Sequence, residues 1–173
     1  EAWFGYANFN REFYPSAMVA GADYATQSTH KTMSAFSQAS MIHVNDPDFE
    51  DIQDFFMENF NMHTSTSPQY PMIASLDVAR KQMVMEGYSL LQRVLELSRS
   101  LRDSINSLNK FRVLDLNDMI SEEIKEDNVR LDPTKLTIDI SKSGYSSKEI
   151  EHILLTKHSI QIEKTTFNTI TIL

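Results

Sequence analysis

Residues 26–32 read TQSTHKT, a run of small hydroxyl side chains around a histidine and a lysine. The run lies between two predicted strands, a short one near Asp23–Gln27 and an apolar one at Ala39–Val44. We therefore predict a loop at a sheet edge. Such a loop offers hydroxyl and amide donors to a phosphate, and the amine of Lys31 could attack a carbonyl carbon to form a Schiff base. The residues alone favour a plainer interpretation, a surface lysine after a polar turn, because Ser-x-His-Lys is a weak signal.

The composition indicates a folded, acidic chain. Apolar residues make up 41% of it, with ten Phe, six Tyr and nine Met, enough to form a core. The net charge of −8 and the lack of any basic run argue against a nucleic-acid partner. No apolar run approaches the ~20 residues that cross a bilayer, so no membrane association is predicted. The absence of cysteine excludes disulfides and thiolate metal sites, and it fits a reducing, cytoplasmic compartment. No metal site is predicted.

The first two thirds of the chain alternate between strand and helix patterns, which is typical of an α/β layer. Asp46 and Pro47 are predicted as the N-cap and first residue of a helix that runs to about Asn61. Apolar residues then recur at helical spacing over residues 71–109. Gly87 is predicted to divide or bend this helical segment.

The last third begins with an acidic connector at residues 115–130 and continues as a second block of strands and helix. Ser146 and Glu149 have the spacing of a capping box, which predicts a helix from there to about Lys157. Three strands are predicted in this block, at residues 136–140, 160–162 and 169–173.

Both ends of the sequence suggest an internal fragment of a longer protein. The chain starts without Met at Glu1 and passes directly into an aromatic tract. It ends within TITIL at residues 169–173, an alternating strand pattern with no polar tail. Natural termini usually fray into polar residues, so we expect further chain on both sides.

The stretch TQSTHK at residues 26–31, with SAFSQASMIH at residues 34–43, closely resembles the cofactor-lysine segment of the ornithine/lysine/arginine decarboxylases. These are pyridoxal 5'-phosphate enzymes of the aspartate-aminotransferase fold, also called fold type I. Further resemblances follow in the family's order: AW at residues 2–3, MHTSTSP at 62–68, LDPTK at 131–135 and EKT at 163–165. The block around Lys31 is the most specific, and the resemblance spans most of this chain, which would be a minority of a family member.

The resemblance implies three parts of an α/β enzyme. Residues 1–70 would be the C-terminal part of the cofactor-binding large domain, residues 71–114 a long helical connector, and residues 115–173 the start of a small α+β domain. The implied reaction is decarboxylation of lysine, ornithine or arginine to the amine and carbon dioxide, in a homodimer or larger oligomer with shared active sites. The isolated chain is expected to be inactive. The alternative is a non-catalytic fragment or degenerate homologue that serves as a folding or oligomerisation unit.

Four residues near the start of the chain have roles implied by the resemblance. Lys31 would hold pyridoxal phosphate as a Schiff base. Ser28 and His30 would contact the phosphate or another part of the cofactor, the alternatives being a turn hydroxyl and a structural imidazole. Trp3 would lie near the cofactor ring, the alternative being simple core packing.

Two residues further along the chain have implied roles, and two departures from the family limit what can be transferred. Ser65 would reach the phosphate in the neighbouring subunit's site, the alternative being a helix cap. Glu163 would attract the distal cation of a basic substrate. The family's aspartate for the ring nitrogen would stand just before Glu1. At residues 115–130 family members carry a longer segment with a Trp-His pair, so substrate contacts from there are not assigned.

Overall fold

Two strands flank the TQSTHKT stretch, as predicted. In the computed structural model, which describes residues 1–173, β1 (Tyr24–Gln27) pairs antiparallel with β2 (Met41–Val44) in a two-stranded sheet. Ala25 and Gln27 are the buried positions of β1, so one face of this strand points inward. The connection contains α1 (Thr29–Thr32), a single helical turn. The predicted loop at the sheet edge is therefore helical at these four residues.

The chain that precedes the hairpin folds into short turns. Two 3₁₀ turns lie here, Ala7–Phe9 and Arg11–Phe13. Asn10 separates them, and its side chain caps the second turn. Phe4, Tyr6 and Phe13 form an edge-to-face aromatic cluster with ring centres 5.1–6.1 Å apart. This cluster gives the N-terminal segment its own small core.

The helix after the hairpin starts later than predicted. α2 spans Phe49–His63, and Asp48 rather than Asp46 occupies its N-cap position. The Asp46 carboxylate instead accepts hydrogen bonds from the Asp48 amide (2.9 Å) and from the Tyr24 hydroxyl. Asp46 therefore fixes the turn ahead of α2. None of the α2 residues is buried.

The long helix α3 (Tyr70–Asn106) passes through Gly87 without interruption, so the predicted division there was wrong. A Cβ atom at Gly87 would lie 2.9 Å from Met83 Cε and 3.3 Å from Phe9 Cβ. The glycine therefore permits close packing against the N-terminal segment, which outweighs its low helix propensity. None of the helices combines the length and apolar content needed to cross a membrane.

Contacts divide the chain into two compact units, Glu1–Gln92 and Arg93–Leu173. The second unit contains a four-stranded antiparallel sheet of order β3-β4-β6-β5. Its strands are β3 (Arg112–Val113), β4 (Leu136–Asp139), β5 (Lys164–Thr165) and β6 (Thr169–Ile172). The core of this unit consists of Val113, Leu136, Ile138, Ile140, Ile162 and Ile170. The predicted strands at 136–140 and 169–173 are confirmed, whereas β3 was not predicted.

The helix of the second unit begins at the predicted capping box. α5 (Ser147–His158) starts after Ser146, whose hydroxyl accepts from the Glu149 amide at 3.3 Å. The Glu149 carboxylate in turn accepts from the Ser146 amide at 2.7 Å. This reciprocal pair satisfies amides that the helix itself leaves free.

The predicted strand at residues 160–162 is absent. Ser159 takes a left-handed conformation with φ of 54°, and the Ile160 amide donates to the Leu154 carbonyl at 2.9 Å. These residues therefore complete the C-terminus of α5, since its last carbonyls need donors from beyond the helix. The strand in this region is β5, which starts at Lys164.

The acidic connector at residues 115–130 contains more structure than predicted. α4 (Leu116–Met119) is one helical turn, and a 3₁₀ turn covers Glu122–Ile124. Asp118 accepts from the Asp115 amide at 2.8 Å, which completes a capping box. The acidic residues here thus have a local structural role.

Candidate active site

Lys31 lies on the α1 turn, where the hairpin connection leaves it exposed. Its amide donates to the Ser28 carbonyl at 2.9 Å, and the Met33 amide donates to the Thr29 carbonyl at 3.0 Å. These two bonds close the helical turn. The turn positions the Lys31 backbone more firmly than an irregular loop would.

The Lys31 amine faces the ring of Trp3. Nζ lies 5.3 Å from the centre of the indole, within the range of a cation–π contact. The Ser28 amide donates to the Ala2 carbonyl at 3.2 Å, which ties the segment carrying Trp3 to the start of the α1 turn. The structure therefore brings together two residues that lie 28 positions apart in the sequence.

Two buried hydroxyls on the Lys31 turn have no hydrogen-bond partner, and a third hydroxyl next to the turn makes no capping bond. Ser28 precedes the α1 turn, and its side chain makes no capping bond. Thr29 is only 1% exposed, yet its Oγ1 is unpaired, as is the buried Oγ1 of Thr32. Unpaired buried hydroxyls are rare because they lose their bonds to water. Sequence reasoning assigned a contact only to Ser28, although the hydroxyl-rich composition of residues 26–32 already pointed to the other two.

His30 is anchored through one ring nitrogen. Its Nδ1 is 2.9 Å from the Ala39 carbonyl oxygen, which also accepts from the His30 amide at 3.1 Å. Because a carbonyl only accepts, Nδ1 carries a proton, and in the neutral imidazole Nε2 is an acceptor. One side of the imidazole thus has the structural role named as the alternative, and any cofactor contact would be made through Nε2.

Ser65 and Glu163, the other predicted site residues, are not brought to Lys31 by hydrogen bonds. The Ser65 hydroxyl lies in an exposed turn and bonds with Ser67, donating to its carbonyl and accepting from its amide at 3.3 Å. Glu163 belongs to the second unit, and its side chain is exposed. Its amide donates to the Thr171 carbonyl at 3.0 Å. Both roles remain predictions.

A partly buried polar network beside the Lys31 turn was not predicted from the sequence. The two carboxylate oxygens of Glu1 accept separate hydrogen bonds, from the Ala17 amide (2.8 Å) and from Nε2 of Gln27 (3.1 Å). The Gln27 carbonyl oxygen lies 3.0 Å from Nε2 of His43. Gln27 occupies a buried position of β1, so its need for internal partners was the available signal.

The shifted acid–base groups of the first unit lie at the other end of the hairpin. The hydrogen bond to Asp46 raises the pKa of Tyr24 to about 12. The same bond, with the Asp48 amide, lowers the pKa of Asp46. Tyr24 begins β1, whereas the Lys31 turn follows its last residue. This pair therefore stabilises the hairpin base and takes no part in the candidate site.

Comparison with solved structures defines the class of protein. The chain aligns along its full length with the crystal structure of the Francisella novicida lysine decarboxylase LdcF, with a TM-score of 0.72 and 28% identity. It covers 29% of that chain. The mixture of helices and strands described above is thus part of a decarboxylase fold.

Sequence comparison identifies the family. Residues 1–173 match the family described as "Orn/Lys/Arg decarboxylase, major domain", and the chain belongs to that family. It is 31% identical over 158 residues to an arginine decarboxylase of Bacillus cereus, covering 90% of this chain and 33% of the relative. It is 44% identical over 128 residues to the lysine decarboxylase LdcA of Pseudomonas aeruginosa, covering 68% of this chain and 17% of the relative. The chain thus spans a third or less of these relatives.

Proposed function

We propose that this chain is the cofactor-lysine part of a pyridoxal-phosphate-dependent decarboxylase of a basic amino acid, with Lys31 as the Schiff-base lysine. Family membership supports the reaction class, as do the relatives named lysine and arginine decarboxylases. One observation carries the residue assignment. The Lys31 amine lies over Trp3, forms no salt bridge, and shares its turn with unpaired hydroxyls.

The groups around Lys31 fit pyridoxal 5'-phosphate chemically. A lysine amine without a carboxylate partner suits an aldehyde carbon. The hydroxyls of Ser28, Thr29 and Thr32 are donors for phosphate oxygens, and the flat face of Trp3 suits an aromatic ring. When bound, this cofactor withdraws electrons from the substrate Cα and so assists the loss of carbon dioxide.

The residues of this chain would bind and orient the cofactor and the substrate. Lys31 would anchor the cofactor covalently and be released as a free amine when the substrate amine replaces it. His30 would accept a hydrogen bond through Nε2, its ring being held still by the Ala39 carbonyl. Glu163 would attract the distal cation of lysine, ornithine or arginine. Ser65 would donate to the phosphate in a neighbouring subunit's site.

The wider organisation is also proposed by analogy with the family. Residues 1–70 would form the C-terminal part of the large domain of fold type I. Residues 71–114 would form the helical connector to the small α+β domain, which would begin with residues 115–173. The full-length protein would act in the cytoplasm as a homodimer or larger oligomer with shared active sites. The isolated 173 residues would be inactive.

Substitution of Lys31 tests the proposal. In the full-length protein, Lys31→Ala should remove both the visible absorbance of the lysine–cofactor Schiff base and the release of carbon dioxide from lysine, ornithine or arginine. Lys81→Ala, at an exposed position of α3, is the matched control and should retain both. Retention of both properties by Lys31→Ala would contradict the assignment. Cofactor binding by the wild type without turnover of any of the three substrates would favour the non-catalytic alternative.

A further inference from the structure

Gln27 is the central member of the partly buried network beside the Lys31 turn. It is the last residue of β1, is 6% exposed, and uses both ends of its amide in hydrogen bonds. One bond crosses to Glu1, 26 positions earlier, and the other crosses to His43 on β2. A buried amide with two such partners joins three separate segments of the chain.

The donors and acceptors of this network have a determined order. A carboxylate only accepts, so the Gln27 atom facing Glu1 is its NH₂ group. Its carbonyl oxygen then faces His43, so Nε2 of His43 carries a proton. Glu1 accepts one bond on each oxygen, from Gln27 and from the Ala17 amide. An apolar side chain at position 1 would leave the Ala17 amide and the Gln27 NH₂ group without this acceptor.

The network lies where the segment carrying Trp3 meets the hairpin. The Ser28 amide, next to Gln27, donates to the carbonyl of Ala2, next to Glu1. A Cβ atom at Gly5 would lie 3.4 Å from Oε1 of Gln27, so the backbone passes close to the amide. The position of Trp3 relative to the α1 turn therefore depends on contacts that Gln27 organises.

We propose that Gln27 is a positioning residue, which sets the separation between Trp3 and Lys31 by holding the Glu1 segment and β2 against β1. This inference deepens the proposed function and rests on it for its meaning in catalysis. Gln27 touches neither the cofactor nor the substrate in this account. Its effect on the site is transmitted through Glu1 and the backbone bond between Ala2 and Ser28.

The test uses Gln27→Met in the full-length protein, because methionine keeps the length of the side chain and removes both hydrogen bonds. Two properties are measured. The first is the dissociation constant of pyridoxal phosphate from absorbance titration of the cofactor-free protein. The second is the rate at which trace acetic anhydride labels Lys31 in the cofactor-free protein, by mass spectrometry, with Lys81 as internal reference.

Gln27→Met should raise the dissociation constant about tenfold, because residues that hold binding side chains in place commonly contribute about that much to affinity. It should raise relative Lys31 labelling about threefold, since the amine leaves the indole face. Gln53→Met, the same change at an exposed position of α2, should alter neither property. Ser98→Ala removes a buried hydroxyl of the second unit, which donates to the Pro133 carbonyl, and should lower thermal stability without changing the dissociation constant.

Wild-type values of both properties in folded Gln27→Met would overturn the proposal. If that variant does not fold, Glu1→Met replaces it, because it removes both acceptors at position 1 and should shift both properties in the same direction. Wild-type values in Glu1→Met would then overturn the proposal. Failure of the wild type to bind pyridoxal phosphate would contradict the proposed function, whereas the labelling comparison needs no cofactor and tests Gln27 by itself.

Discussion

The amine of Lys31 lies 5.3 Å from the centre of the Trp3 ring, and no carboxylate pairs with it. A contact of this kind contributes about 0.5–1 kcal/mol at an exposed position. It requires an aromatic face, which phenylalanine supplies in weaker form and leucine lacks. The indole therefore holds the lysine in a defined place on the α1 turn.

Substitutions of Trp3 should distinguish the contribution of its aromatic face to cofactor binding from the contribution of its size. In the full-length protein, Trp3→Leu should raise the pyridoxal phosphate dissociation constant about threefold to fivefold, because the cofactor ring loses an aromatic face worth about 0.5–1.5 kcal/mol. Trp3→Phe should show a smaller change. Absorbance titration of the cofactor-free variants provides the measurement. An equal effect of the two substitutions would mean that Trp3 serves only as packing.

Ser65 should matter through the neighbouring subunit. Its hydroxyl bonds only with Ser67 in an exposed turn, so it is available to a phosphate oxygen. Hydrogen bonds to a charged group contribute about 1.5–3 kcal/mol, so Ser65→Ala should weaken cofactor binding roughly tenfold to a hundredfold. Sedimentation during a cofactor titration should show the dimer fraction rising with pyridoxal phosphate in the wild type and rising less in the variant.

Ser67→Ala is the neighbouring control, because Ser67 uses only its backbone in the turn. If Ser65→Ala and Ser67→Ala bind the cofactor equally well, Ser65 is not part of the site. A loss of thermal stability that is the same with and without cofactor would assign Ser65 to the turn alone.

The capping box should make a measurable contribution to the stability of the start of α5. Ser146→Ala should destabilise the start of α5 by about 1 kcal/mol, the usual contribution of an N-cap. Amide hydrogen exchange in the first turn of α5 should accelerate accordingly. Ser104→Ala, at an exposed position within α3, should leave α5 exchange unchanged. Unchanged α5 exchange in Ser146→Ala would show that packing, not the cap, holds this end of the helix.

The pH dependence of α5 follows from Glu149. Hydrogen bonds from the Ser146 hydroxyl and amide hold the pKa of Glu149 below its ordinary value. When the pKa of a carboxyl group is lower in the folded state than in the unfolded state, the group stabilises the folded state at pH values above its ordinary pKa. That stabilisation is lost as the pH falls through the folded-state pKa. Exchange of the α5 amides, corrected for intrinsic rates, should therefore quicken in acid. The acid effect should be smaller in Ser146→Ala, and an equal effect would exclude this pair as its source.

Local patterns predicted much of the fold because their causes are local. The two hairpin strands and the capping box at Ser146 and Glu149 were found from short-range spacing alone. Gly87 was misjudged because its role depends on Phe9, 78 positions away. The strand predicted at residues 160–162 failed because the Ile160 amide is used to close α5.

The candidate site was only partly predictable for the same reason. Lys31 and Ser28 stand in one short segment whose composition and family resemblance single them out. The Glu1–Gln27–His43 network links positions up to 42 residues apart, and no local sequence pattern predicts it. A glutamine at a buried strand position was the one visible hint.

Borohydride reduction of the cofactor-loaded full-length protein shows which lysine carries the cofactor. Reduction converts a Schiff base into a stable secondary amine, and peptide mapping by mass spectrometry then identifies the lysine that bears the pyridoxyl group. We expect a single adduct within this chain, on Lys31. An adduct on Lys81, Lys110 or Lys135 with Lys31 unmodified would contradict this assignment.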